Sequence, residues 1–324
     1  MSINATVLMR RFMTKVKFRH MEVLVRLCEL GSMRRATEAL GMTQPSISQM
    51  ISEMEQLMET ELFFRHARGV EPTAATLELL PVARRMLSSL GEAAEVVANR
   101  LGDNAGLVRV AASEAGLFGL VHPILPEFAR QRRGVQVAVN LVHGGATLVA
   151  IAEGACDILC LREPNVVPEG WVFEACRPDA LIVVCGPQHP LAKAGHVTQH
   201  SLGGYRWLMN RVDSIARRRY EEMHSSQGWP DELRCHVVTH IPEMTVRLLA
   251  SDPYLALLPR AIATPYLAGG QIVELPCDIA FPLSPLGFLW EEAKATRTTK
   301  LFVQALRRGA LAAAGDAGRQ AAPQ

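Results

Sequence analysis

The 324-residue chain has little of what marks several large protein classes. Charge of one sign is missing: 34 Lys and Arg stand against 32 Asp and Glu, a formal net charge of +2. The total therefore announces neither a polyanion partner nor an acidic substrate. Cysteine is sparse and odd in number, seven in all with no CxxC pair, which excludes a disulfide scaffold and points to a reducing compartment. Long apolar runs are missing too. The uncharged stretch from Gly134 to Ala152 holds Gln136, Asn140, His143 and the pair Gly144-Gly145, which a bilayer core would penalise. At the start, Arg10 and Arg11 are followed by Lys15, Lys17 and Arg19 before any export-length apolar segment can form. A cytoplasmic protein without a membrane partner is expected. With 49% hydrophobic and 20% charged residues the chain is too apolar for disorder, and its length suits about two domains.

Local charge is more telling than the total. Arg10 to Arg35 carries eight basic and two acidic residues, a net of +6, whereas Ala36 to Phe63 carries five acidic residues and no Lys or Arg, a net of −5. The basic block is a candidate polyanion contact, and as a composition it is equally a solvated face. Within it Phe18, Met21, Leu24, Leu27 and Cys28 recur at helical spacing up to Gly31, which suits a C-cap. Ser32 then opens a short helix (Met33, Ala36, Ala39, Leu40) closed by Gly41. A third helix starts at Thr43 with Pro45 in its first turn, where the missing N–H is no loss. Its apolar stripe, Ile47, Met50, Ile51, Met54, Leu57 and Met58, leaves Gln44, Ser48, Gln49 and Ser52 on the opposite face. Two short helices joined by a tight turn, the second exposing small polar groups, describe a helix-turn-helix at about 33–52. LFFR, a turn at His66 to Gly69, and VEPT then read as a two-stranded wing.

Thr73 can cap a long helix over 74–101. Leu80, Ala83, Leu87, Leu90, Ala94, Val97 and Leu101 follow a 3.5-residue repeat in it, the pattern of a dimerising seam; packing on its own domain is the other reading. Gly102 to Gly106 suits a hinge. From Leu107 onward strands (108–112, 135–142, 157–161, 180–185, 235–239, 254–258, 272–275, 286–290) alternate with helices (117–131, 147–153, 215–226, 242–251), which implies an α/β domain with a mostly parallel sheet. The segment 310–324 is low in complexity and reads as a flexible tail.

These residues resemble the LysR-type transcriptional regulators. GSMRRATEAL (31–40), TQPSIS (43–48), LFFR (62–65) and RGVEPT (68–73) follow the family's pattern in order, and ALIVVCGPQHPLA (180–192) and GACDILCL (154–161) resemble its effector domain. The wording of the N-terminal part looks most like the branch that includes regulators of sugar-binding-protein operons. Two positions depart from the pattern: Glu59 and Thr76 stand where the family usually has glycine. The resemblance implies an N-terminal all-α winged helix-turn-helix over 16–73, a linker helix over 74–101, and a two-lobed periplasmic-binding-protein-like α/β effector domain over 107–309. It also implies a homodimer or homotetramer, with double-stranded DNA, a small-molecule effector and RNA polymerase as partners, and no cofactor.

Physical chemistry then nominates residues. Side-chain amides pair with adenine edges and hydroxyls with either base type. This makes Thr43, Gln44, Pro45, Ser46, Ser48 and Gln49 the candidates on the third helix, with Arg34, Arg35, Arg65 and Arg68 for phosphate or minor groove. In α/β sheets ligands sit beyond the carboxyl ends of strands. That places Ser113, Gly145, Thr147, Asn210, Arg211, Ser214 and His240 around an effector, anionic or sugar-like; Arg211 is equally a surface charge. Two other readings stand beside this one. Cys176 and Cys185, nine apart, could form a thiol switch, although buried core thiols are the commoner case. An enzyme would need a nucleophile and base or a metal cluster, and neither GxSxG nor HExxH occurs.

Overall fold

The computed structural model describes residues 5–66, 69–101, 106–144, 146–277 and 281–320. They fall into two compact units: the first runs to Leu107 and takes in Leu148–Cys156, and the second comprises Val108–Thr147 and the chain from Asp157 onward.

The first unit contains α1 (Ala5–Lys15), α2 (Phe18–Leu30), α3 (Met33–Leu40), α4 (Gln44–Met58), the hairpin β1 (Phe63–His66) and β2 (Gly69–Pro72), and α5 (Ala74–Leu101). Its helix boundaries follow local chemistry. Gly31 and Gly41 close α2 and α3 in the left-handed conformation, Ser32 caps α3 by accepting from Arg35 N, and Thr43 caps α4 by accepting from Ser46 N at 3.4 Å. Met21, Leu24 and Leu27 of α2 meet Ile47, Ile51 and Met54 of α4 in a buried core that Phe63 and Val70 of the hairpin and Ala83 of α5 complete. Each fully buried side chain of this size contributes about 1.5–3 kcal/mol, so packing rather than propensity fixes how α4 is presented. The wing is pinned as well: Val70 N donates to Gly31 O at 3.1 Å, and a Cβ at Gly69 would stand 2.4 Å from the same oxygen. Only glycine permits that approach.

Both departures from the glycine pattern are accounted for locally. Glu59 ends α4 at φ 53°, the one non-glycine positive φ among the described residues. Arg11 of α1, a helix the sequence did not announce, donates to Leu57 O at 3.0 Å and pairs with the Glu59 carboxylate at 2.8 Å, which satisfies the frayed end of α4. Thr76 is fully buried, and its hydroxyl donates to Leu62 O, a job glycine could not do.

The second unit is built on a nine-stranded sheet. In chain order the elements after α5 are β3 (Gly106–Ala112), α6 (Glu114–Gly116), α7 (His122–Gln131), β4 (Val135–Leu141), α8 (Ala146–Ala152), which from Leu148 onward belongs to the first unit, β5 (Ile158–Arg162), β6 (Val172–Cys185), α9 (Gln199–Leu202), β7 (Arg206–Met209), α10 (Ile215–Gln227), β8 (Arg234–Val238), α11 (Pro242–Ser251), β9 (Tyr254–Pro259), α12 (Arg260–Ala268), β10 (Val273–Glu274), β11 (Phe281–Trp290) and α13 (Arg297–Gln320). The strand order is β4-β3-β5-β11-β6-β9-β7-β8, with β10 beside β6. The expectation of a mostly parallel sheet needs correcting. β3–β5, β7–β9 and β7–β8 are parallel, but β11 runs antiparallel to β5 and β6, and β6 antiparallel to β9 and β10.

Two long strands join two lobes. Leu286–Trp290 of β11 pairs with β5, whereas Phe281 and Pro282 pair with Leu181 and Ala180 of β6, whose Leu181–Cys185 goes on to pair with β9. One core gathers Val108, Ile158, Cys160, Phe288 and Phe302; two more cover opposite faces of the second lobe, with Leu181, Val183 and Cys185 on one side of β6 and Ile182 and Val184 on the other. A strand buried on both faces reads as an unbroken apolar run, which is why 180–185 stood out and its polar first half did not. Residues 310–320, expected as tail, continue α13.

Candidate functional site

On α4 the buried Ile47, Ile51 and Met54 leave the N-terminal half of the opposite face to solvent: Gln44, Pro45 and Gln49 are exposed and Ser48 half-exposed. Thr43 and Ser46 are bonded to each other, Oγ1 to Oγ at 2.8 Å, so their hydroxyls serve the cap first. Gln49 Nε2 donates to Glu53 Oε1 at 2.9 Å, leaving its amide oxygen outward. Glu53 is shared. His20 takes the Lys17 N–H on Nδ1, so its Nε2 carries the proton and donates to Glu53 Oε2 at 3.2 Å. Hydrogen bonds from His20 and then Gln49 hold this carboxyl below its ordinary range, so it stays ionised and keeps Gln49 oriented. Gln44 and Ser48 have no side-chain partner among the described residues.

The basic candidates divide. Arg34 and Arg65 are exposed and unpaired among the described residues, free to meet an anion. Arg35 instead folds back to donate to Leu30 O at the end of α2, so one of its nitrogens is structural. Arg68 lies outside the described residues.

The seven-residue seam expected on α5 separates into two faces. Ala83 is fully buried in the core of the first unit, and Leu80 and Leu87 pack against that core. Exposed apolar residues on another face include Val82, Met86, Leu90 and Val97, at 39%, 39%, 44% and 56%, with Ala94 also exposed; Leu77, at 54%, is exposed nearer the start of the helix. The 3.5-residue spacing thus runs over both a core-packed and an exposed face. The Leu101 side chain lies outside what is described.

In the second unit a cavity of about 210 Å³ opens beyond the strand ends. Asn210 follows β7, Ser214 caps α10, and His240 precedes α11; all three were nominated from the sequence and all three line it. Arg211 does not line it: its guanidinium grips Asp213 through Nη2 at 3.0 Å and Nε at 3.2 Å. Ser113 is not on the wall either, since its Oγ accepts from Gly116 N at 3.2 Å. Gly145 and the Thr147 side chain lie outside what is described. Residues missed by sequence reasoning include Glu114, Arg162 and Thr245, with Leu181, Leu258, Ile262 and Leu283 as apolar wall. Glu114 lies one residue beyond Ser113, and Arg162 is the last residue of β5. Glu114 is set in place by a close approach: a Cβ on Gly116 would stand 2.1 Å from Cys160 O, so α6 starts against β5 itself.

The thiols offer little chemistry. Cys176 and Cys185 lie on one strand nine residues apart, roughly 30 Å at ~3.3 Å per residue, far beyond the ~7 Å a disulfide spans. Burial pushes both up to about 11, so they are protonated and poorly nucleophilic at neutral pH. Among the described residues no group of three or more His, Cys, Asp or Glu could hold a metal ion, and no helix is long and apolar enough to cross a membrane.

Comparison with known proteins places these features. Residues 18–76 match the bacterial regulatory helix-turn-helix protein, lysR family, and residues 101–311 the LysR substrate binding domain. The HTH-type transcriptional regulator GbpR of Azospirillum brasilense is 26% identical over 278 residues, 85% of this chain and 81% of that protein. GalR of Pseudomonas putida, also an HTH-type transcriptional regulator, is 25% identical over 84% of this chain and 68% of its own length. Among solved structures, full-length CbnR complexed with its target DNA aligns over 91% of this chain and all of its own, with a TM-score of 0.66 at 18% identity. A full-length OxyR variant from Pseudomonas aeruginosa aligns over 91% of this chain and 94% of its own at a TM-score of 0.62 and 16% identity. These structural likenesses concern the fold.

Proposed function

The chain belongs to the LysR family of DNA-binding transcriptional regulators with an effector-binding domain, and from that premise we propose how its residues divide the work. Gln44, Pro45 and Ser48 on α4 enter the major groove, Gln44 pairing with an adenine edge and Pro45 packing on a thymine methyl. Gln49 offers its amide oxygen. Arg34, Arg65 and Arg68 hold the phosphate backbone; Arg35, Thr43 and Ser46 mainly fix the geometry. Residues 16–73 form the DNA-binding domain, 74–101 the linker and dimerising helix, and 107–309 the effector domain.

One such domain contacts few bases, so a useful specificity ratio needs a second copy. Val82, Met86, Leu90, Ala94 and Val97 supply the face on which two α5 helices pair, and two such dimers would make a tetramer. A small molecule in the cavity beyond β7, β8 and β9 alters the lobes and thereby DNA affinity or contact with RNA polymerase, in the cytoplasm. The observation that carries this reading is that Gln44 and Ser48 on α4 and the Arg34 guanidinium of α3 have no side-chain partner among the described residues, with Gln44 and Arg34 exposed.

Gel shifts on the DNA upstream of the protein's own gene test it. Arg34→Ala should weaken specific and random DNA alike and lower the log–log salt slope by about 0.9. Gln44→Ala should cost about 1–3 kcal/mol at the specific site alone. Equal losses on both DNAs for Gln44→Ala would refute its base contact.

A further inference from the structure

Most polar side chains on the wall of the second unit's cavity spend their donors within the protein, His240 with its imidazole N–H being the exception. Each hydroxyl on the wall commits its one proton to the main chain: Ser214 Oγ donates to Arg211 O at 2.8 Å and Thr245 Oγ1 to Ile241 O at 3.3 Å. Toward a ligand both oxygens can only accept. Asn210 turns its amide nitrogen to Leu257 O at 3.2 Å, leaving the amide oxygen uncommitted. The wall's guanidinium is neutralised: Arg162 Nη2 meets Asp179 Oδ2 at 2.6 Å and Nη1 donates to Ser284 O at 3.2 Å. Asp179 is buried, with Oδ1 taken by the N–H groups of Ala180 and Ala261, so drawing Arg162 away would strand a buried charge.

Glu114 is the opposite case. Its carboxylate is half-buried on the same wall and accepts no hydrogen bond from any described residue. The titratable groups around it are His240, His143 and Glu243, and Glu243 already accepts the Tyr266 hydroxyl at 2.9 Å. Resting on the reading of this cavity as the effector site, we propose that the effector carries a protonated amine on a compact apolar body, the amine meeting Glu114 and the acceptor oxygens of Asn210, Ser214 and Thr245. An ammonium has three donors and no acceptor, the complement of these oxygens. Leu181, Leu258, Ile262 and Leu283 receive the apolar body. The first-turn N–H groups of Ile215 and Ala216, which no helical carbonyl reaches, leave room for an acceptor elsewhere on the ligand. An acid lacking the amine brings a second negative charge beside Glu114 with no free cation to offset it.

Three probes of one shape and different heads test the proposal: cyclohexylmethylamine, cyclohexylmethanol and cyclohexanecarboxylate, titrated calorimetrically into the full-length protein. The amine should bind on the order of tenfold tighter than either other probe, and Glu114→Gln should weaken it by a similar factor while leaving the acid unchanged or tighter. Acid or alcohol binding as tightly as the amine, an amine affinity untouched by Glu114→Gln, or no heat from the amine would each overturn the amine requirement. Ile215→Trp, which narrows the cavity from a half-exposed position, separates this from failure of the cavity reading: amine binding that survives Ile215→Trp lies elsewhere on the protein.

Discussion

At the scale of single residues, Glu114 ties ligand chemistry to stability. Burial pushes its carboxyl above the ordinary range, with His240 and His143 pulling it partly back and Glu243 pushing it further up. A raised value means that the folded state holds the proton more tightly than the unfolded chain. Glu114 therefore adds stability at low pH that is lost as pH rises through its folded value. In ligand-free protein Glu114→Gln should raise the melting temperature by about 1–3 °C at pH 7.5, and the gain should vanish near pH 4 where the carboxyl is protonated. Scanning calorimetry at the two pH values checks this; a gain of equal size at both would show that charge burial is not its source. Of the cavity's residues, His240 was legible because it follows the readable strand at 235–239, and Asn210 and Ser214 because they precede the readable helix at 215–226. Glu114 and Arg162 were not, since their direction depends on α6 starting against β5 and on the buried Asp179 that takes up Arg162.

At the scale of elements, one periodicity on α5 runs over two faces. Leu87 packs on the core of its own unit, whereas Leu90 stands 44% exposed. Leu90→Lys should dissociate dimers with little change in helicity. Leu87→Lys should lower stability by about 2 kcal/mol or more by driving an ammonium against packed apolar groups. Sedimentation together with circular dichroism distinguishes the two, and a dimer unaffected by Leu90→Lys would remove that face from the interface. Caps and hydrophobic stripes made α2, α3 and α4 readable, because local chemistry alone sets their ends. Other elements had no such signal. α1 was seen as charge, since its docking rests on Arg11 reaching Leu57 O and Glu59. β7 is four residues long, and the first half of β6 is interrupted by Pro178, which blurs any alternation. α12 follows Pro259 and contains Pro265, a sequence that argues against the helix tertiary packing makes.

At the scale of the whole molecule, the near-zero total charge is a sum over parts with different tasks, and the few arginines left unpaired on the first unit matter more than their number. The antiparallel crossover of β6 and β11 has a consequence of another kind, for the order in which the chain can fold during synthesis. β5 emerges early, yet the neighbour it needs on one side, Leu286–Trp290, is among the last strands made. The lobe formed by β3, β4 and β5 must therefore wait, with an apolar edge open, until nearly the whole chain has left the ribosome. A chain ended at Leu275 should fail to protect β3 and β5 against hydrogen exchange while α2 to α4 remain protected; full protection of β5 in that fragment would show that the lobe closes without its last strand. Birth order, rather than stability of the finished sheet, thus sets the interval in which this protein is most open to aggregation and to chaperones.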